Sequence, residues 1–191
     1  MKTFMTSLKI FLFFTVLTGI IYPLVVTCIT QLTFPSNANG SLIISNHRVI
    51  GSVLIGQSFD SSAYFTSRPS AIAYKTLPSG GSNLGVTSSK LKVQVEARKK
   101  QFLTFNELVN NTVIPSEMLF ASASGLDPHI SPEAALLQVN RISGARHLNS
   151  AQKQKLFQLI EQHTEKPQFY CLGQKRVNVL LLNLGLDALL K

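Results

Sequence analysis

The chain has 191 residues, and its 18 Lys and Arg against 9 Asp and Glu give a formal net charge of +9. With 2 cysteines a disulfide framework is excluded, so any soluble part relies on an ordinary apolar core. The basic residues are scattered, Arg98-Lys99-Lys100 is the only triplet and aromatics do not interleave with it, which argues against a nucleic-acid surface and for a solvated basic face.

Lys2 and Lys9 are the only charges before Arg48. An uncharged, mostly apolar run extends from Ile10 to Phe34, longer than the roughly 20 residues that cross a bilayer core as a helix. Basic residues mark the cytoplasmic flank of such a span. The pattern predicts a cytoplasmic N-terminus at 1–9, a transmembrane helix at 10–34 and an extracytoplasmic domain at 35–191. A cleaved signal peptide fits less well, because the run is too long, Pro23 interrupts it and no A-x-A site closes it. A lipoprotein signal at Cys28 fits less well too, since Thr27 precedes the cysteine and apolar residues continue beyond it. Thr15, Gly19 and Pro23 stand four apart, which leaves one face narrow enough for another helix to approach. Pro23 also frees a backbone carbonyl and tends to kink the helix.

Residues 35 to 87 are rich in Gly, Ser, Asn and Pro. Ser41 to Ile44 and Val49 to Ile55 read as strands around a turn at Asn46-His47. From Gln57 to Asn83, Phe59, Tyr64, Phe65 and Tyr74 are spaced among turn formers, the composition of an ordered, irregular surface loop rather than of a disordered one.

The remainder is helical. Ser88 or Ser89 caps a helix to about Asn106, with Leu91, Val95, Phe102 and Phe105 as its buried stripe. Ser131-Pro132-Glu133 places an N-cap serine, a proline at N1 and an acid in the first turn, and that helix runs to about Arg146. Ser150 caps another, with Leu156, Leu159 and Ile160 facing inward. Arg176 to Leu180 reads as a strand and Leu182 to Leu190 as a terminal helix. The fold class is α+β: one N-terminal transmembrane helix followed by a single extracytoplasmic domain, strands in its first half and helices in its second.

Ser122, Ser124, Asp127 and His129 are residue types a hydrolase triad needs, but triad members are assembled by the fold rather than crowded into one loop, and no G-x-S-x-G elbow is present. Asp127-Pro128 beside Ser-Gly reads better as a turn. His47, His129, His147 and His163 are dispersed without metal-ligand spacing. Leu77 to Asn83 is a glycine-rich loop whose amides could cradle an anion, yet it lacks the lysine and glycine spacing of a P-loop. Its residues Ser79, Gly80, Gly81, Ser82 and Asn83 are the nucleotide or contact-loop candidates.

Taken together, the residues resemble the C subunit of the Kdp potassium-importing P-type ATPase of bacteria and archaea. Thr18-Gly19-Ile20-Ile21-Tyr22-Pro23 in the anchor is similar to a recurring pattern of that family, followed by Phe34-Pro35, Asn37 to Leu42, and Leu54-Ile55-Gly56-Gln57-Ser58-Phe59. Tyr64-Phe65, Arg68-Pro69-Ser70-Ala71 and Ser79 to Leu84 come next, then Ala121 to Pro128 and Ile130 to Ala135. Arg176 to Leu180, Asn183-Leu184 and Leu186-Asp187 close the match. The blocks stand in family order along nearly the whole chain, with Lys175 and Gln101 to Thr112 as departures.

The resemblance implies a single-pass, non-catalytic accessory subunit in a prokaryotic cell membrane. Its implied partners are a potassium-selective channel-like subunit, a P-type ATPase subunit that hydrolyses ATP, and membrane lipid, with room for a small single-helix subunit and none for nucleic acid. It implies a catalytic chaperone that raises the ATP affinity of the pump subunit and stabilises the complex. No tightly bound cofactor or metal is implied, and ATP has a place only within the complex. Ser79-Gly80-Gly81-Ser82 is loosely similar to the serine-glycine signature of ABC transporters, but the topology puts it outside the cytoplasm, so an effect on nucleotide must travel through the membrane helices. The domain's positive excess disfavours a funnel for cations and leaves steric cover or docking on an acidic rim. The alternatives are a membrane-anchored binding module with no transporter partner and, third, an anchored hydrolase.

Overall fold

Pro23 has no amide hydrogen to offer the carbonyl of Gly19, and the first element is built around that gap. The computed structural model describes residues 1–45 and 47–189 and groups the chain into two units, Met1–Ile50 and Gly51–Lys191. The first unit opens with one apolar helix, α1 (Lys2–Thr33), 32 residues long. At about 1.5 Å per residue it reaches about 48 Å, more than a hydrocarbon core of about 30 Å. One turn, Leu17–Ile21, is a π-helix in which the Tyr22 N–H donates to the Leu17 carbonyl, so the ladder widens just before the proline. The hydroxyls of Thr15, Thr18, Thr27 and Thr33 each donate to the carbonyl four residues back, at 2.7–2.8 Å, which hides them from apolar surroundings. After α1 come a short α2 (Pro35–Ala38) and a two-stranded sheet of β1 (Leu42–Ser45) and β2 (Arg48–Ser52). In the expected turn, Asn46 lies outside the described residues and His47 takes a left-handed φ of 60°. β2 ends earlier than expected because Ser52 turns the chain, its hydroxyl accepting from the Leu54 N–H at 3.1 Å.

The second unit holds α3 (Ser89–Phe105), α4 (Pro132–Ala145), α5 (Ser150–Gln162) and α6 (Val179–Leu189) around a three-stranded sheet. Two caps stand where the sequence placed them: Ser88 Oγ accepts from the Leu91 N–H and Ser131 Oγ from the Ala134 N–H. A third is corrected, for Asn149 rather than Ser150 caps α5, because Gln152 at N3 completes a capping box with it. The sheet runs β3 (His129–Ile130), β5 (Arg176–Asn178), β4 (Thr164–Glu165), with Val177 opposite both Ile130 and Thr164 in antiparallel register. β3 and β4 carry too few residues for a periodic signal and were not anticipated. The expected strand to Leu180 stops at Asn178, whose side-chain oxygen accepts from the Leu181 N–H and starts α6 three residues earlier than predicted. Leu190, the expected helix end, lies outside the described residues.

The core is formed by Ile130, Val177 and Val179 with Val139 and Ile142 of α4, Leu156, Leu159 and Ile160 of α5, and Leu182 and Leu186 of α6. On α3 the buried residues are Phe102 and Leu103, while Leu91, Val95 and Phe105 are only partly covered. The loop expected at the surface contributes Phe65, which is fully buried and belongs to the core.

Side chains from the helices hold that loop. Arg141, 4% exposed, donates from Nε to Asn106 Oδ1 at 2.9 Å, from Nη2 to Gln138 Oε1 at 2.9 Å, and from Nη1 to the Ser61 and Ser62 carbonyls. Its guanidinium also stacks on Phe105, 4.4 Å from the ring centroid. Gln138 Oε1 in turn accepts from the Thr66 N–H at 2.8 Å. Asn183 bonds both backbone groups of Phe65, at 2.8 and 3.0 Å, as a strand neighbour would. Arg146 donates to the Ala63 carbonyl at 2.7 Å and pairs with Asp187, which also accepts from the Tyr64 hydroxyl. Backbone groups that no ladder reaches are thereby satisfied. Replacing Arg141 by Leu strands buried acceptors, and the expected cost is about 2–4 kcal/mol, read as an unfolding shift of the detergent-solubilised full chain. Asn183→Ala is expected to cost about 1–3 kcal/mol by the same measurement, and Lys99→Ala, on the exposed face of α3, less than about 0.5 kcal/mol.

Candidate functional site

In the second unit, four loops singled out by sequence pattern interlock: residues 54–59, 67–74, 79–83 and 121–129. Arg68 is the only charge between Asp60 and Lys75, and its Nη1 donates to Asp127 Oδ2 at 2.6 Å. Asp127 Oδ1 accepts from the His129 N–H at 3.0 Å and lies 3.5 Å from His129 Nδ1. Burial alone would raise the Asp127 carboxyl, but the hydrogen bonds from the His129 side chain and backbone and from Arg68 outweigh it and hold the pKa at about 2. Tyr74 donates its hydroxyl to the Arg68 carbonyl, and burial pushes its pKa up to about 12.

Backbone contacts close the assembly. The Gly56 N–H donates to the Leu126 carbonyl at 2.7 Å, and a Cβ on Gly56 would stand 2.6 Å from the Asp127 carbonyl. Gly125 has φ +71° and leaves no room for a side chain beside Ile72. Its carbonyl accepts the Ser70 hydroxyl at 2.7 Å, and Ser70 Oγ accepts from the Tyr74 N–H at 3.0 Å.

The glycine-rich candidates join this assembly by main-chain contact. The Gly80 N–H donates to the Ser124 carbonyl at 3.0 Å, and Gly81 packs on the Ala123 backbone. Ser79, Ser82 and Asn83 are exposed, and Asn83 takes a left-handed φ of 52°. The loop thus has one amide committed to the protein rather than aimed outward, and presents side chains to solvent. Thr15, Gly19 and Pro23 lie in the first unit, with Gly19 at the centre of the π turn and nothing within 4 Å of where its Cβ would be.

The triad reading finds no geometric support among the described residues. Ser124 Oγ accepts from the Leu126 N–H at 3.1 Å, Ser122 is buried, and His129 meets Asp127 rather than a serine. In the basic triplet, Arg98 is tied to the Leu119 carbonyl at 3.0 Å and burial lowers its pKa, leaving Lys99 and Lys100 exposed.

Two clefts flank Arg68. One of about 360 Å³ is lined by Phe59, Asp60, Arg68, Tyr74, Arg98 and Phe102, and one of about 470 Å³ by Arg68, Glu117, Asp127, His129, Lys175 and Arg176. Arg68 was not among the residues expected at a site, and Asp127 was weighed only as a triad member and read as part of a turn. Their signal was the isolated charge in each of two Ser/Pro-rich stretches, where an unpaired charge has poor local reason to exist. Because the Asp127 pKa is depressed in the folded protein, its contribution to stability is full above the unfolded value of 3.8 and lost as pH falls through about 2. Thermal melts of the wild type against Asp127→Asn are therefore expected to differ by on the order of 2 kcal/mol at pH 5 and to converge toward pH 2.

The family model described as "K+-transporting ATPase, c chain" matches residues 4–188. A protein of Dechloromonas aromatica named "Potassium-transporting ATPase KdpC subunit" is 45% identical over 199 residues, covering 100% of each chain. Proteins of the same name from Pectobacterium atrosepticum and Burkholderia orbicola are 46% and 47% identical over 192 residues, each with 98% of this chain and 97% of its own length covered. With nearly the whole length matched and each block of the interlocked loops inside it, this chain belongs to the family of K+-transporting ATPase c chains.

Proposed function

We propose that this chain is a non-catalytic accessory subunit of an ATP-driven potassium-import assembly, in which a separate P-type subunit hydrolyses ATP and a channel-like subunit selects potassium. The observation that carries the reading is the end-to-end match to proteins named as potassium-transporting ATPase subunits. The anchor supports it: α1 is apolar and wide-turned at Gly19, with a proline that leaves carbonyls for a neighbouring helix to satisfy. In this reading the two N-terminal lysines keep that end cytoplasmic and the second unit lies outside.

The chain then stabilises the assembly and raises the ATP affinity of the pump subunit without touching nucleotide. A tenfold gain in affinity is about 1.4 kcal/mol, within the usual range of coupling between distant sites. Interhelical hydrogen bonds in membranes average about 0.6 kcal/mol, so a few contacts along α1 that exist only in the ATP-binding conformation suffice. Ser79–Asn83 serves as a contact loop: its Gly80 amide is already used, and no lysine accompanies it to neutralise phosphate.

The test exploits Gly19, where a side chain meets open space within the chain itself. Gly19→Ile is expected to be made and inserted normally, yet to reduce co-purification of the pump and channel subunits from mild detergent by about tenfold or more. Unchanged recovery and unchanged potassium-stimulated ATPase activity would remove α1 from the interface. Recovery of the wild-type chain alone, from cells that make the other subunits, would contradict the accessory-subunit reading itself.

A further inference from the structure

Between β4 and β5 the chain forms a hairpin tip of unusual chemistry. Gln168 and Leu172 exchange two backbone hydrogen bonds of 2.9 Å, enclosing Phe169, Tyr170 and Cys171. Phe169 and Tyr170 both take left-handed φ values, 51° and 63°, at positions that ordinarily go to Asn and Gly. The backbone therefore adopts an unfavourable conformation with two aromatic side chains that pack on nothing. Phe169 is 84% exposed, Tyr170 87% and Leu172 58%.

The flanks are basic. From Lys166 to Arg176 there is no acidic residue. Arg176 pairs with Glu165 at 2.8 Å, whereas Lys166 and Lys175 form no ion pair among the described residues. Phe, Tyr and Leu at a tip with lysines at its base is the arrangement that suits a lipid headgroup layer, where aromatic rings sit at the boundary and ammonium groups meet anionic headgroups.

We propose that the Gln168–Leu172 tip is a membrane-interface contact, in which Phe169, Tyr170 and Leu172 enter the headgroup layer of an anionic bilayer and Lys166 and Lys175 bind its phosphates. The backbone favours lipid over a protein partner. The N–H groups of Gln168, Tyr170, Cys171 and Leu172 all donate within the hairpin, so the tip carries few unsatisfied donors into a poorly hydrated layer. The same self-pairing leaves little edge for strand addition by another protein. The inference rests on α1 being a membrane span, and on no other subunit.

The chain contains no tryptophan, so Tyr170→Trp in the full-length protein provides a single emitter. The variant is reconstituted alone in vesicles of roughly three parts phosphatidylcholine to one part phosphatidylglycerol, with plain or brominated acyl chains. The tip is expected to show blue-shifted emission that bromination quenches about twofold or more, and Phe169→Trp the same. Val113→Trp, at a loop position 89% exposed, is expected to stay unquenched. Lys166→Gln with Lys175→Gln, or phosphatidylcholine alone, is expected to remove more than about half of the quenching. Solvent-like emission from both tip variants, unaffected by bromination, would overturn the proposal, as would equal quenching at Val113. Equal quenching in phosphatidylcholine alone would overturn the role given to anionic headgroups. A blue shift that arises only when the other subunits are added, without bromine quenching, would mean that the tip meets protein instead. The results from vesicles that hold this chain alone do not depend on whether it joins a transport assembly.

Discussion

A buried guanidinium with no ion-pair partner among the described residues is the constraint on which the second unit depends. Burial lowers the pKa of Arg141 to about 10, which leaves it charged at physiological pH and in need of acceptors. It finds them in Asn106, Gln138 and the carbonyls of Ser61 and Ser62. Those acceptors fix the path of residues 61–66, which sets Phe65 into the core and brings Arg68 to Asp127. Asp127 orders the 121–129 loop, and that loop holds Gly80 and Gly81. A polar network inside the core is thus continuous with the loops that face solvent.

What the sequence disclosed follows from how local each interaction is. The caps at Ser88 and Ser131 involve side chains three residues from their partners, and the inward face of α5 obeys a single period, so both were legible. Asn149 was overlooked in favour of its neighbour, although its capping box was also local. The loop stitches were not legible at all. Asn183 meets Phe65 across 118 residues and Gln138 meets Thr66 across 72, distances at which no spacing rule operates. The same holds for β3 and β4, which exist only because β5 offers each a partner. Of the candidate loop, the glycines were legible but their use was not: Gly80 and Gly81 serve close backbone contact with residues 123–124, and the anion-cradle geometry is weakened accordingly.

The anchor shows the opposite balance. Its apolar length and the Thr15, Gly19, Pro23 spacing were plain in the sequence, while the π turn before Pro23 is a consequence of one missing N–H that composition does not announce. In the proposed function that turn is where the chain exerts its influence. A helix with a widened turn offers a neighbour both a close approach at Gly19 and carbonyls in need of donors, and contacts of that kind can differ between two conformations of a pump. The proposed effect on ATP therefore needs no nucleotide site in this chain.

The most direct test of that account measures ATP binding and nucleotide labelling in the same purified complex. A photoreactive ATP analogue is bound at increasing concentration with and without this chain, and the labelled peptides are mapped. The account predicts that omitting the chain weakens ATP affinity of the pump subunit by about tenfold, a coupling of about 1.4 kcal/mol, while no label enters this chain. Label incorporated into the peptide containing Ser79–Asn83, competed by unlabelled ATP, would contradict it.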